Sequence, residues 1–361
     1  MKKTLKTILS VVLALAMVMS VAVCAFADGH DNLKGKYLVY TCLGDSNAAG
    51  YGTTGFISDR VPAPNAYHSI LSRELGAKLN VCGGSAYRVH ELRDIIDPNY
   101  EITDFTYADG CTNDPLYREN LDQRIDLYTA AVKEADLITL NIGGNNFFSM
   151  VKNAYVASYQ TDDQTFLEAE ERIYSIGSVF DPVSEDYPMV EKAARLVEFA
   201  VGLADFLNFF IGYLPTVYSE FFENWDGLVG AIYDMNPDVT LVAFSVNNPF
   251  NSTTLNTGDS YPIGSLMDVF YGIFNAWIKY GSEYADSYIY CDNTDIRLGE
   301  GLAFTQPDFK PAFYVPVHAD DNEVIVIANR VLDLLSAKEA GETAVTPWYD
   351  GIVKFAFKLF K

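Results

Sequence analysis

The chain is poor in the residues that build the commonest sites. Of its 361 residues only four are histidine and five cysteine. No Cys-x-x-Cys and no His-Glu-x-x-His occurs, so no structural zinc, and no other metal or cofactor, is expected. The cysteines are too sparse for a disulfide scaffold. No Gly-x-x-x-x-Gly-Lys appears, which removes the phosphate loop a kinase or nucleotidase would want. Basic residues are also scarce. Lys and Arg number 25 against 48 Asp and Glu, a net charge of −23. Such a surface repels phosphate backbones, so nucleic acid is not an expected partner. Internal repeats and long low-complexity tracts are missing too. Apolar residues, by contrast, reach 49%, which excludes wholesale disorder.

Residues 1–27 read as a secretory signal. Lys2, Lys3 and Lys6 form a basic start, Ile8 to Val23 an apolar stretch, and Ala25-Phe26-Ala27 a cleavage site. A retained membrane anchor is the bland alternative. A lipoprotein reading through Cys24 is weaker, because Val23 stands where Gly or Ala is wanted. The expected product is secreted, soluble through its acidic charge, and carries Cys42, Cys82, Cys111 and Cys291, with three pairings possible.

Short β-rich runs alternate with helical stretches along the rest. Lys36 to Cys42, Leu79 to Cys82, Asp136 to Ile142, Val239 to Val246 and Tyr288 to Cys291 are apolar through consecutive residues. Parallel strands covered on both faces have this pattern. Helical segments between them point to βαβ units and a doubly wound sheet. Before the last helix, Asp320 and Glu323 form a capping-box-like pair. Val324, Ile327, Ala328, Val331, Leu332 and Leu335 then fall on one helical face.

Residues 150–235 interrupt this rhythm as a mostly helical insertion. Met189 to Phe222 is strongly apolar, yet Glu198, Asp205 and Pro215 break it, so a membrane span is not expected. The insertion reads as extra core helices, or more sharply as an apolar wall beside a site. Residues 338–346 read as a linker. Trp348 to Lys361 is aromatic and basic, and suits either a membrane surface or docking back onto the domain.

Chemistry in such sheets gathers at the carboxyl ends of strands. Gly44-Asp45-Ser46 follows the first run, and a small flanking chain through Asn47 to Gly52 can lie close to a ligand. Gly83-Gly84-Ser85-Ala86 follows the second and can aim an N–H at an oxyanion. Gly143-Gly144-Asn145-Asn146 follows the third, with an amide on a glycine hinge. Each alone could be an ordinary turn. A general base must reach the serine. His30 falls in an N-terminus expected to be flexible, while His68 and His90 fall in helices. His318 stands alone in a loop near the C-terminus.

Taken together the four blocks resemble the SGNH (GDSL) hydrolase superfamily. Gly44-Asp45-Ser46 matches its serine block, Gly84 its glycine block, Gly143 to Asn146 its Gly-x-Asn-Asp block with Asn for the final Asp, and His318 its histidine block. Asn248-Pro249-Phe250 is similar to clostridial members. The resemblance covers about residues 35–337 apart from the insertion. It implies a flavodoxin-like three-layer α/β/α sandwich with a five-stranded parallel sheet. It implies Ser46 as nucleophile, His318 as base, and an oxyanion hole from Ser46 N–H, the Gly84 region and Asn145, with Gly44, Asp45 and Gly144 in support.

Two departures stand out. The family's Asp, three residues before the histidine, is Val315 here. The orienting group is then a backbone carbonyl near Val315 or Pro316, or a carboxylate from Asp308, Asp320 or Asp321. In a second register, Ala86-Tyr87-Arg88-Val89-His90-Glu91-Leu92 matches the family's Gly-x-Arg-Thr-x-Asp-Leu and puts Ala86 in the glycine position. The implied activity is ester hydrolysis, on lipid acyl chains or on acylated carbohydrate. The competing reading is a non-catalytic surface or binding protein on the same fold. A glycosidase would need two facing carboxylates, and no spacing signals one.

Overall fold

The computed structural model describes residues 30–102, 121–147, 189–252, 254–255, 264–298, 300–306 and 309–342. The signal segment, Cys111, Asp308, all of the insertion before Met189 and the tail from residue 343 lie outside them.

Five strands form one parallel sheet: β1 (Val39–Gly44), β2 (Lys78–Gly83), β3 (Leu137–Asn141), β4 (Thr240–Phe244) and, late in the chain, Ile289–Cys291. The order across the sheet is β2-β1-β3-β4 and then that last strand. All five expected runs are strands, with ends shifted by up to three residues: β1 starts later and runs on to Gly44, and β2 is one residue longer at each end. Helices cover both faces, giving the three-layer sandwich. On one face α2 (Tyr67–Leu75) and the C-terminal helix Glu323–Glu339 pack with Leu71, Leu75, Val331 and Leu335 against Tyr40, Cys42, Val242 and Phe244. On the other, α3 (Val89–Ile96), α4 (Leu121–Glu134) and α5 (Met189–Met235) cover Leu43, Cys82, Ile138, Leu140 and Ala243. Alternation along each strand sends neighbours to opposite faces. That alternation separates Cys42 from Cys82, which fall in different cores. Cys42, Cys82 and Cys291 are all buried free thiols.

Helix α5 is 47 residues long and runs through Pro215. Its final turns deliver Val217, Phe221, Trp225, Leu228 and Ile232 to the second core. In that half the insertion is core helix. None of its described residues lines the site cleft. No described helix is long and apolar enough to cross a membrane.

A second, three-stranded antiparallel sheet was not expected from the sequence. It contains β5 (Thr254–Leu255), β7 (Glu300–Gln306) and β8 (Phe309–His318), in the order β5-β8-β7, with β6 the strand Ile289–Cys291 of the main sheet. Pro311 and Pro316 make this stretch read as loop, because proline cannot donate to a ladder. β5 reaches only Phe313 and Tyr314, so both prolines lie where β8 lacks a neighbour on that side among the described residues. His318 is therefore the last residue of a strand, not a loop residue. Helix α7 (Glu323–Glu339) follows, after α6 (Gly264–Ala276) and α1 (Ser46–Ala49) earlier in the chain. Its expected apolar face is buried at all six positions. Asp320 accepts from the N–H groups of Asn322 and Glu323, and Glu323 accepts from Asp320 N–H, the reciprocal cap the sequence suggested.

Candidate active site

The first block is built by close approach. Gly44 ends β1 with φ +147°, and a Cβ there would stand 1.9 Å from the Asn141 carbonyl oxygen. That contact is backbone and cannot move aside, since Asp45 N–H donates to the same oxygen at 3.0 Å. Gly44→Ala is expected to destabilise the fold by about 3 kcal/mol or more, combining overpacking with a disallowed backbone. Thermal unfolding measures it, and an unchanged Tm would contradict this geometry.

Asp45 caps α1, its carboxylate accepting from Asn47 N–H at 2.9 Å. Burial pushes its pKa up to about 7. Ser46 begins the helix, so its N–H has no intrahelical acceptor and is free for a ligand. His318 reaches it from β8, its Nε2 3.0 Å from Ser46 Oγ. Two residues 272 positions apart thus meet as nucleophile and base would. Burial lowers the His318 pKa to about 4.

The orienting group is not where the sequence argument sought it. His318 Nδ1 is buried with no hydrogen-bond partner among the described residues. Asp320 is committed to the α7 cap, and Asp321 accepts from Thr54 N–H and Asn65 Nδ2. No carbonyl of Val315 or Pro316 accepts from the ring either. Instead, Asn47 and Tyr51 surround the histidine. Asn47 Nδ2 donates to Val317 O at 3.3 Å, and its Oδ1 accepts from Ala319 N–H at 3.4 Å. The Tyr51 ring lies 4.4 Å from the imidazole, centroid to centroid.

The second block needs a correction. Gly84 does not line the cleft, and its N–H donates to Gly44 O at 3.0 Å. It is glycine because the Tyr87 ring lies against it, 2.2 Å from where a Cβ would be. Gly84 O accepts from Tyr87 N–H, closing a turn with Ser85 and Ala86 at its centre. Ala86 holds φ +63°, the position where such a turn favours glycine. Ser85 N–H and Oγ both donate to Asp59. Ala86 N–H is then the turn's one N–H without an acceptor among the described residues, and Ala86 lines the cleft. The second register is the one this geometry fits.

No family model matches the chain. No curated protein does either. Among solved structures it is similar to a lipase from a goat rumen metagenome (16% identity, 82% of this chain and 97% of that one, TM-score 0.43). It is also similar to an extracellular lipase from Streptomyces rimosus (14%, 83% and 99%, TM-score 0.42). A third is phospholipase A1 from Streptomyces albidoflavus (13%, 84% and 99%, TM-score 0.44). At such identities an activity for this chain has to be argued from its own side chains.

Asn145 lines the cleft from the third block, and its Nδ2 donates to Tyr87 O at 2.9 Å. An amide nitrogen carries two N–H groups, so one is left for a ligand. Gly144 lines the same wall, and the turn's left-handed residue is Gly143, φ +125°. Asn146 is buried and accepts from Val89 N–H at 3.0 Å, tying this block to the start of α3. The other histidines stand apart. His68 is buried in α2 beside Ala48 O, and its pKa is lowered by burial to about 4. His90 lies in α3. His30 is not loose, since its Nδ1 lies 3.2 Å from Ser336 Oγ on α7.

The cleft holds about 380 Å3. Beyond Ser46 and His318 its walls include Val246, Leu298, Val317, Val324 and Ile327, with asparagines 47, 141, 145, 247 and 293 at intervals. The site residues that sequence reading missed are Asn47, Tyr51 and Asp59. Asn47 and Tyr51 were visible only as a small flanking chain after the serine. Asp59 had no signal, since its partner Ser85 is fixed by the fold.

Proposed function

We propose that the protein is a secreted hydrolase of carboxylic esters acting through an acyl-enzyme. The observation that carries this reading is Ser46 Oγ at 3.0 Å from His318 Nε2, at the carboxyl edge of the sheet. Ser46 Oγ attacks the ester carbonyl as its proton passes to Nε2. The carbonyl oxygen becomes an oxyanion facing Ser46 N–H, Ala86 N–H and the free Asn145 N–H. Collapse breaks the C–O bond, and the alcohol leaves with the proton from Nε2. Water gives a proton to Nε2 and attacks the acyl-enzyme, and the acid is released as Oγ regains its hydrogen. The apolar walls around Val246, Leu298, Val324 and Ile327 support an acyl group longer than acetyl, hence a lipid-like ester rather than an acetylated carbohydrate.

A fluorophosphonate adduct mapped by mass spectrometry, alongside a p-nitrophenyl ester series from acetate to palmitate, tests this. The adduct is expected on Ser46 and the best rate on a chain longer than acetate. A preference for acetate would return the substrate to acetylated carbohydrate. No adduct on Ser46 and no hydrolysis would favour the non-catalytic reading. The mature form, beginning at Asp28 in the culture medium, would be read from the same mass spectrum.

A further inference from the structure

A histidine base must be held in one rotamer and one tautomer, and a triad does this with an acid on Nδ1. Here Nδ1 has no partner among the described residues, and the nearby acids Asp320 and Asp321 are engaged elsewhere. Yet the ring is placed well enough for Nε2 to sit 3.0 Å from Oγ. Something else fixes it, and one short segment supplies two devices.

Asn47, the residue after the nucleophile, bonds the backbone on both sides of His318, giving to Val317 O and taking from Ala319 N–H. The peptide groups that set the histidine Cα are thereby tied to the chain that sets Ser46. Tyr51, on the same segment, lays its ring on the imidazole with the planes 40° apart. A ring contact of this kind restrains the second side-chain torsion without a hydrogen bond. Resting on the Ser46–His318 reading, we propose that Asn47 and Tyr51 are the positioning residues of His318, a clamp and a ring in place of an acid.

This arrangement separates orientation from charge. The clamp keeps geometry but offers nothing to stabilise an imidazolium. Asn47 should therefore act on kcat and leave substrate binding alone. Tyr51 is 43% exposed, so its loss should spare the fold.

The test compares kcat, KM, fluorophosphonate labelling rate and Tm for wild type, Asn47→Ala, Asn47→Asp, Tyr51→Ala, Tyr51→Phe, Glu300→Gln, His318→Gln and Ser46→Ala. Asn47→Ala and Tyr51→Ala are each expected to lower kcat about 10- to 100-fold, the cost of a slightly misplaced catalytic group. KM should stay within about twofold, and labelling should fall in proportion. Tyr51→Phe keeps the ring and should match wild type. Asn47→Asp keeps the acceptor for Ala319 N–H and adds a negative charge, so it should move the acid limb of kcat to higher pH. The kcat-against-KM split and the rescue by Tyr51→Phe are the readouts that a purely structural role would not give. If Asn47→Ala fails to fold, the Tyr51 pair still decides. Wild-type kcat in both alanine variants, with Ser46→Ala inactive, overturns the positioning role alone. So does a loss in Glu300→Gln as large as that in His318→Gln. Glu300 pairs with His318 across the β7–β8 ladder, and that result would make it the missing acid. Activity retained by Ser46→Ala overturns the serine reading instead.

Discussion

Ser46→Ala and His318→Gln are each expected to lower kcat/KM on the best ester by about 10^4- to 10^6-fold, and the double variant by no more than either. The two atoms meet at 3.0 Å and serve one step, so removing either removes the whole. The wild-type pH profile adds a second signature. The free-enzyme base is neutral above its pKa, and burial holds His318 down to about 4. kcat/KM should then stay level from pH 7 to about 5 and bend only toward pH 4, where an ordinary histidine would bend near 6.5. Stability has the same sign. His68 and His90 are also lowered to about 4 by burial. The unfolded chain protonates these rings near 6.5 while the native chain resists, so their contribution drains away as pH falls from 6.5 to 4. Asp45 works oppositely. Raised to about 7, it makes the native chain the better proton binder between pH 4 and 7, and its contribution falls as pH rises. Initial rates paired with Tm at each pH separate the limb from unfolding. A limb near 6.5 would show that a charge, not burial, governs His318.

The sheet was legible because its strands are continuous apolar runs, which both covered faces require. The α7 face and its Asp320–Glu323 cap were legible for the same local reason. The second sheet was not, since Pro311 and Pro316 mask a strand whose pairing depends on β7 and on a two-residue β5. At the site, Ser46 and Asn145 could be named from blocks that follow expected strands, and His318 as the one histidine outside the helices and the N-terminus. Gly84 was named in one of two possible registers, and only the hydrogen bonds decide between them. Its N–H is spent on Gly44 O, and a Cβ there would meet Tyr87. Asn146 departed from the Asp that the resemblance led one to expect. In the structure the amide accepts from Val89 N–H, a bond that requires only an oxygen. The absent acid was legible as Val315, but its replacement was not, because Asn47 bonds Val317 and Ala319 across 270 and 272 residues of chain and Tyr51 is as remote in sequence.

Asn145→Ala is expected to lower kcat about 10^2- to 10^3-fold with little change in KM, the cost of one oxyanion donor. Charge develops on the carbonyl oxygen only in the transition state, so the lost bond matters there and hardly in the ground state. Asn145→Asp tests the sign of the interaction. It keeps the shape, removes both N–H groups and sets a negative charge toward the oxyanion, so it should be at least as damaging as alanine. The Tyr87 O bond is lost in both variants, so a loop-positioning effect alone would make them equal in rate. Ala86 predicts the reverse outcome. Its contribution is a backbone N–H, so Ala86→Gly should keep kcat. The left-handed conformation costs an alanine about 1–2 kcal/mol, against about 0.5–1 kcal/mol for glycine's added freedom when unfolded. Ala86→Gly should therefore raise Tm slightly while leaving the rate intact. If Asn145→Ala keeps its kcat, the oxyanion faces another wall of the cleft, and the turn carrying Ala86 loses its assigned part as well.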